Sequence, residues 1–174
     1  MKKLKLAFVA VVTGVLLFAM TACGGASGTV SSFVSAVKKG DFDKASNYVV
    51  GTLDLSSYYE KSNSDSLYTY IYEKAAKSFS YSVESTSETE DDDGNAVSAT
   101  VKISYSVYSG SAISITYAAK VKTGSEASKS TINDLFDDAD KTTGTASVVV
   151  INDDDDGWVM EAPSATALIA LIWL

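Results

Sequence analysis

The chain has 174 residues, a formal charge of −8, no histidine and one cysteine, and all 14 of its basic residues are lysines. No side chain therefore has an unperturbed pKa close to neutrality, and no guanidinium fork is present to clamp phosphate or carboxylate bidentately. The acidic balance argues against nucleic acid and anionic lipid headgroups as partners, and a lone cysteine leaves stability to packing, not to internal disulfides.

Met1 to Cys23 opens with Lys2, Lys3 and Lys5, continues through an uncharged apolar run from Leu6 to Met20, and closes on Thr21-Ala22-Cys23-Gly24. That is the layout of a secretory signal with small residues at its cleavage site, and the apolar run is short for a membrane span. A signal that merely contains a cysteine and an uncleaved membrane helix are the alternatives. The stretch resembles a bacterial lipoprotein signal, whose lipobox Met20-Thr21-Ala22-Cys23 matches at its small residues and its cysteine but has Met20 where leucine is usual. The resemblance implies a signal peptide over residues 1–22, acylation of Cys23, a tether over 23–28 and a domain over 29–174. It also implies an extracytoplasmic protein anchored in the bacterial cell membrane through lipid such as palmitate, not through charge. From Cys23 onward 11 lysines face 22 acids, a formal charge of −11. Two or more acyl chains hold a protein stably where one binds marginally.

Gly24-Gly25-Ala26-Ser27-Gly28 reads as a short flexible tether. Val30, Phe33, Val34 and Val37 then recur at helical spacing, with Lys38-Lys39 in the last turn and Gly40 in the stop position. Asp41 is a good N-cap for a second helix carrying Phe42, Ala45, Tyr48 and Val49 and ending at Gly51. Thr52 to Ser66, rich in serine and containing Tyr58 and Tyr59, reads as a loop with room for one helical turn. A third helix runs from about Ser66 to Ser78, with Leu67, Tyr70, Ile71, Lys74 and Ala75 along one side.

The period becomes two at Phe79. Phe79, Tyr81 and Val83 alternate with polar residues, Glu90 to Asn95 makes a turn, and Val97 to Val107 alternates cleanly, so one sheet face is buried and the other wet. Ser109 to Gly124 fits a strand from Ile113 onward, through Ile115, Tyr117, Ala119 and Val121. Ile132, Leu135, Phe136 and Ala139 predict a short helix within Glu126 to Asp140. Thr145 to Ile151 is β-branched and predicts a strand, which Asn152 to Gly157 turns into Trp158-Val159-Met160-Glu161. Pro163 is placed to open a last helix, and Ala165 to Leu174 is almost wholly apolar, too short to span a bilayer and suited to burial against the domain or a partner.

These elements predict an α+β fold. The pattern Val30-x-x-Phe33-x-x-Ala36-x-x-x-Gly40-Asp41-x-x-Lys44-Ala45, the Asp93-Gly94-Asn95-Ala96 turn before Val97 to Val107, and Gly157-Trp158-Val159 resemble the cystatin-like/NTF2-like cone. The resemblance implies N-terminal helices packed on a curved antiparallel sheet, and lies with small surface lipoproteins of unknown function. Its motifs are structural and specify no activity.

Candidate chemistry is thin. Asn152, Asp154, Asp156 and Gly157 match the first half of a calcium loop, but Pro163 stands where a bidentate glutamate belongs; around Gly94 that position is Thr100. Solvated hairpin turns are the simpler reading, and no metal site or cofactor is expected. An enzyme on such a cone would need an inward acid or base beside an oxyanion donor. Tyr48, Tyr70, Tyr105 or Tyr117 offer hydroxyls, but an inward carboxylate is missing and nothing in the pattern motivates Glu73 or Asp54 for the role, so a ketosteroid isomerase-like site is the lesser reading. The expectation is a non-catalytic domain that binds a small molecule or lipid in an apolar pocket. The alternative is a filled pocket, with the sheet face or the apolar tail docking an envelope protein or a second copy.

Overall fold

The computed structural model of the protein describes residues 25–51, 53 and 66–173. Cys23, the expected signal and the expected tether as far as Gly24, and nearly all of the serine-rich segment lie outside the described residues.

Helix α1 (Ala26–Lys38) forms because Val30, Phe33, Val34 and Val37 make one continuous apolar stripe, and all four are fully buried. It starts earlier than expected, taking in Ala26, Ser27 and Gly28 from the assigned tether. Its end is a Schellman turn: Asp41 N–H donates to the Ala36 carbonyl and Gly40 N–H to that of Val37, with Gly40 at φ +71°. Helix α2 (Phe42–Ser46) begins on the Asp41 side chain, which accepts from Lys44 N–H at 3.1 Å. It is shorter than the spacing of Tyr48 and Val49 predicts. Those residues leave the helix because the backbone is needed in the sheet: β1 (Val49–Val50) runs parallel to β5, and Tyr48 accepts a hydrogen bond from Met160 N–H at 2.7 Å.

Helix α3 (Leu67–Ser78) is capped by Ser66, which accepts from Thr69 N–H at 3.1 Å. The long hairpin β2 (Ser80–Glu90) and β3 (Ala96–Val107) follows, as the alternation predicts. On β3, Ala99, Val101, Ile103 and Val107 are buried, while Thr100 and Lys102 are exposed.

The stretch after β3 departs from expectation. Gly110–Lys122 is a helix, α4, not a strand. Ser109 caps it by accepting from Ala112 N–H at 3.2 Å, and Gly110, Ile113, Ser114 and Tyr117 form its buried face. The strand reading put Ile113, Ile115 and Tyr117 on one side, but Ile115 is 73% exposed. The two periods coincide at Ile113 and Tyr117, and Ile115 separates them. Helix α5 (Lys129–Asp138) buries Ile132, Leu135 and Phe136 as predicted. Strands β4 (Thr142–Asp153) and β5 (Gly157–Glu161) lead into α6 (Ala162–Trp173), where Pro163 occupies the first turn.

Among the described residues the fold is a mixture of six helices and one open five-stranded sheet of order β1-β5-β4-β3-β2, compatible with the expected α+β class. The sheet is mixed instead of wholly antiparallel, because β1 joins β5 in parallel. Its main core joins α1, α2 and α6 to the inner faces of β3, β4 and β5, around Phe33, Phe42, Ile103, Met160 and Trp173. Ile71, Ile113, Tyr117, Ile132 and Phe136 build a second cluster from α3, α4 and α5. Burying each large apolar side chain contributes about 1.5–3 kcal/mol, so the apolar α6 stabilises the fold instead of standing free of it.

Candidate interaction surface

The tyrosines singled out as hydroxyl donors do not converge. The Tyr70 hydroxyl donates to Asn133 Oδ1 at 3.0 Å, beside the ammonium of Lys74 on the same oxygen. Tyr117 is buried edge-on to Tyr68, with centroids 5.8 Å apart, in the second cluster. Tyr105 stacks on Phe79 in the main cluster, where a Cβ added to Gly144 would meet the Tyr105 hydroxyl at 2.6 Å. Tyr48 is half-buried against the main cluster and lines the depression beside α1 and the start of α2. Glu73 is committed to Lys77 at 3.1 Å, and Asp54 lies outside the described residues.

The acidic turns are likewise occupied with their own backbones. Asp91 Oδ1 accepts from the N–H groups of Asp93 and Asn95 at 3.0 and 2.8 Å, and Asp153 Oδ1 accepts from those of Asp155 and Asp156 at 3.0 and 3.2 Å. The Asn95 N–H bond, its side-chain amide and the other turn N–H groups hold the Asp91 carboxyl below the usual aspartate value. Asn152 Nδ2 donates to the Ala96 carbonyl at 2.9 Å, so the two turns lie side by side at one end of the sheet. Among the described residues no three carboxylates or thiols are grouped to hold a metal ion.

Two depressions open along the outer flank of α1. The first, about 260 Å³, lies over Ser32, Asp41, Lys44 and Tyr48. The second, about 370 Å³, lies between α1 and the start of β2, where Ser31, Ser35, Lys38 and Lys39 face Lys77 of α3 and Tyr81 of β2 over the buried Val34. Helical spacing sets the α1 side of this groove: Ser31, Ser35 and Lys38 are one polar stripe opposite Val30, Phe33 and Val37. Lys38 and Lys77 stand in the last turns of their helices, where the helix dipole favours cations.

Lys38 is the most constrained of these groups. Its ammonium reaches the Phe79 carbonyl, next to the Ser78 carbonyl that accepts from Lys141 at 2.9 Å. Burial pulls the Lys38 pKa below its ordinary value, and the charge of Lys141 adds to the same effect. Lys77 is paired with Glu73; among the described residues Lys39 has no carboxylate partner.

Periodicity alone marks Ser31, Ser35 and Lys38 as one face. The sequence had no signal that Lys77 and Tyr81, from a later helix and strand, would close the groove against it. Among the described residues no helix is long and apolar enough to cross a membrane. Compared with protein-family models, curated proteins and solved structures, the chain has no match.

Proposed function

We propose that the protein is an extracytoplasmic lipoprotein, anchored to the bacterial cell membrane through acylated Cys23, whose domain binds without catalysis and does so from its surface. The lipobox Met20-Thr21-Ala22-Cys23 after an apolar run supports the anchor. The helix α1 begins only three residues beyond Cys23, which keeps the domain close to the bilayer.

The observation that carries surface binding is the filled interior. Phe33, Phe42, Phe79, Met160 and Trp173 occupy the space between helices and sheet at no more than 1% exposure, and both depressions described above lie outside it. The order helix, Gly-Asp turn, helix, then hairpin sheet supports a cone of the cystatin-like/NTF2-like kind, with its concavity closed by α6 and its own side chains. Catalysis gains no support from the scattered tyrosines. A surface that docks an envelope protein or a second copy is the second reading, favoured by the same filled interior.

Fractionation tests the anchor. The wild-type chain is expected in the membrane fraction, and Cys23→Ala is expected to be released or to persist as uncleaved precursor. Normal processing and full membrane retention of Cys23→Ala would remove the lipoprotein reading.

A further inference from the structure

We infer that the groove between α1 and β2 is a binding site for a small anionic amphiphile, its carboxylate or phosphate head held among Lys38, Lys39 and Lys77 and its apolar body lying over Tyr81. This deepens the surface-binding reading above and rests on it, but it does not depend on the anchor.

Three lysines line a groove of about 370 Å³, and none of its lining residues is acidic. A lysine ammonium has three donors. Lys38 spends one on Phe79 and Lys77 one on Glu73, so the groove retains ammonium donors that these bonds leave over, alongside the hydroxyls of Ser35 and Tyr81; the Ser31 hydroxyl donates to the Ser27 carbonyl at 2.9 Å. Holding Lys38 partly out of water strengthens its attraction for an anion, because the local dielectric is lower than in bulk. The other side of the site is apolar: the Tyr81 ring stacks on Phe79 at 6.0 Å, and Val83, 36% exposed, continues the same face of β2. A cationic rim beside an apolar wall is the complement of an anionic head on a short apolar body.

The two acidic turns do not oppose this, and of the nearer acids Glu73 is paired with Lys77 while Asp41 lines the neighbouring depression. The two acidic turns sit at the far end of β2 and β4, while Lys38 meets the chain at Phe79, just before β2 begins. A strand of that length spans about 35 Å, several Debye lengths at physiological salt of about 8 Å. The field in the groove is therefore set by its own lysines and the nearby Glu73 and Asp41, not by the turns.

The test is calorimetric titration of the full chain in neutral detergent, against a detergent blank, with hexanoate, hexyl phosphate, hexanol and inorganic phosphate. Saturable binding of hexanoate or hexyl phosphate is expected, at least about tenfold tighter than hexanol or inorganic phosphate, and the tighter of the two identifies the head. Lys39→Gln with Lys77→Gln should weaken it about tenfold or more, and Ser35→Glu, which sets a carboxylate on an exposed position of the groove, should do the same at unchanged Tm. No saturable binding, equal binding of hexanol or of inorganic phosphate, or indifference to both variants would each overturn the site. Loss of binding with normal membrane fractionation of the wild type would sink the groove and leave the anchor standing.

Discussion

The indole N–H of Trp173 donates to the main-chain carbonyl of Val37 at 2.9 Å, across 136 residues of chain, and both residues are buried. The same carbonyl accepts from Gly40 N–H, so the last turn of α1 is satisfied partly by the far end of the described chain. The Trp173 ring also meets Phe42 at 5.4 Å, tying α1, α2 and α6 at one point. Trp173→Ala should cost about 3–5 kcal/mol and Trp173→Phe distinctly less. Truncation after Pro163 should abolish cooperative unfolding. Denaturant titration followed by circular dichroism reads both, and an unchanged midpoint on truncation would mean that α6 is not core.

Gly144 is required by its neighbour and not by its backbone angle. A Cβ there would meet Tyr105 at its hydroxyl and at Cζ, 2.6 and 2.8 Å away. Gly144→Ala should destabilise by about 1–3 kcal/mol, the usual cost of overpacking. Tyr105→Leu in the same chain should recover part of the loss. A double-mutant cycle with no coupling would contradict this contact.

The helical assignment of α4 makes two substitutions diverge. Ile115, exposed on the helix, should tolerate aspartate within about 0.5 kcal/mol, whereas Ile113→Asp should be severely destabilising. Were the segment a strand, both would lie on one face and both would fail. Ser109→Ala should cost about 1 kcal/mol through loss of the N-cap.

Asp91 gives the β2–β3 turn an acid sensitivity of stated sign. Its folded pKa lies below the ordinary 3.8, so its contribution to stability is fully present above that value and is lost as pH falls through the folded pKa. The stability difference between wild type and Asp91→Ala should therefore be largest at neutral pH and shrink in strong acid. Urea midpoints across that range check the sign; a difference that grows with acidity would contradict it.

The helices and strands with one unambiguous period were legible in the sequence: α1, α3, α5, the β2–β3 hairpin and β4 with β5. Two segments were not, for different reasons. In α4, Ile113, Tyr117 and Val121 satisfy both periods; what separates them is the exposure of Ile115 while Ile113 and Tyr117 pack against Ile71, Ile132 and Phe136 from α3 and α5. At Tyr48 and Val49 the local pattern is helical, but the hydrogen bond from Met160 N–H to Tyr48 comes from a strand more than a hundred residues later and pulls the chain into the sheet. The groove was half legible. Its α1 stripe is a matter of spacing, while the approach of Lys77 and Tyr81 is set by how α3 and β2 dock, which no local window contains.

The most direct test of the account is the intact mass of the wild-type protein taken from the membrane fraction of its own cells. The account predicts a chain that begins at Cys23 and carries the added mass of its acyl chains. A full-length mass, or an unmodified chain lacking Cys23 in the soluble fraction, would contradict it.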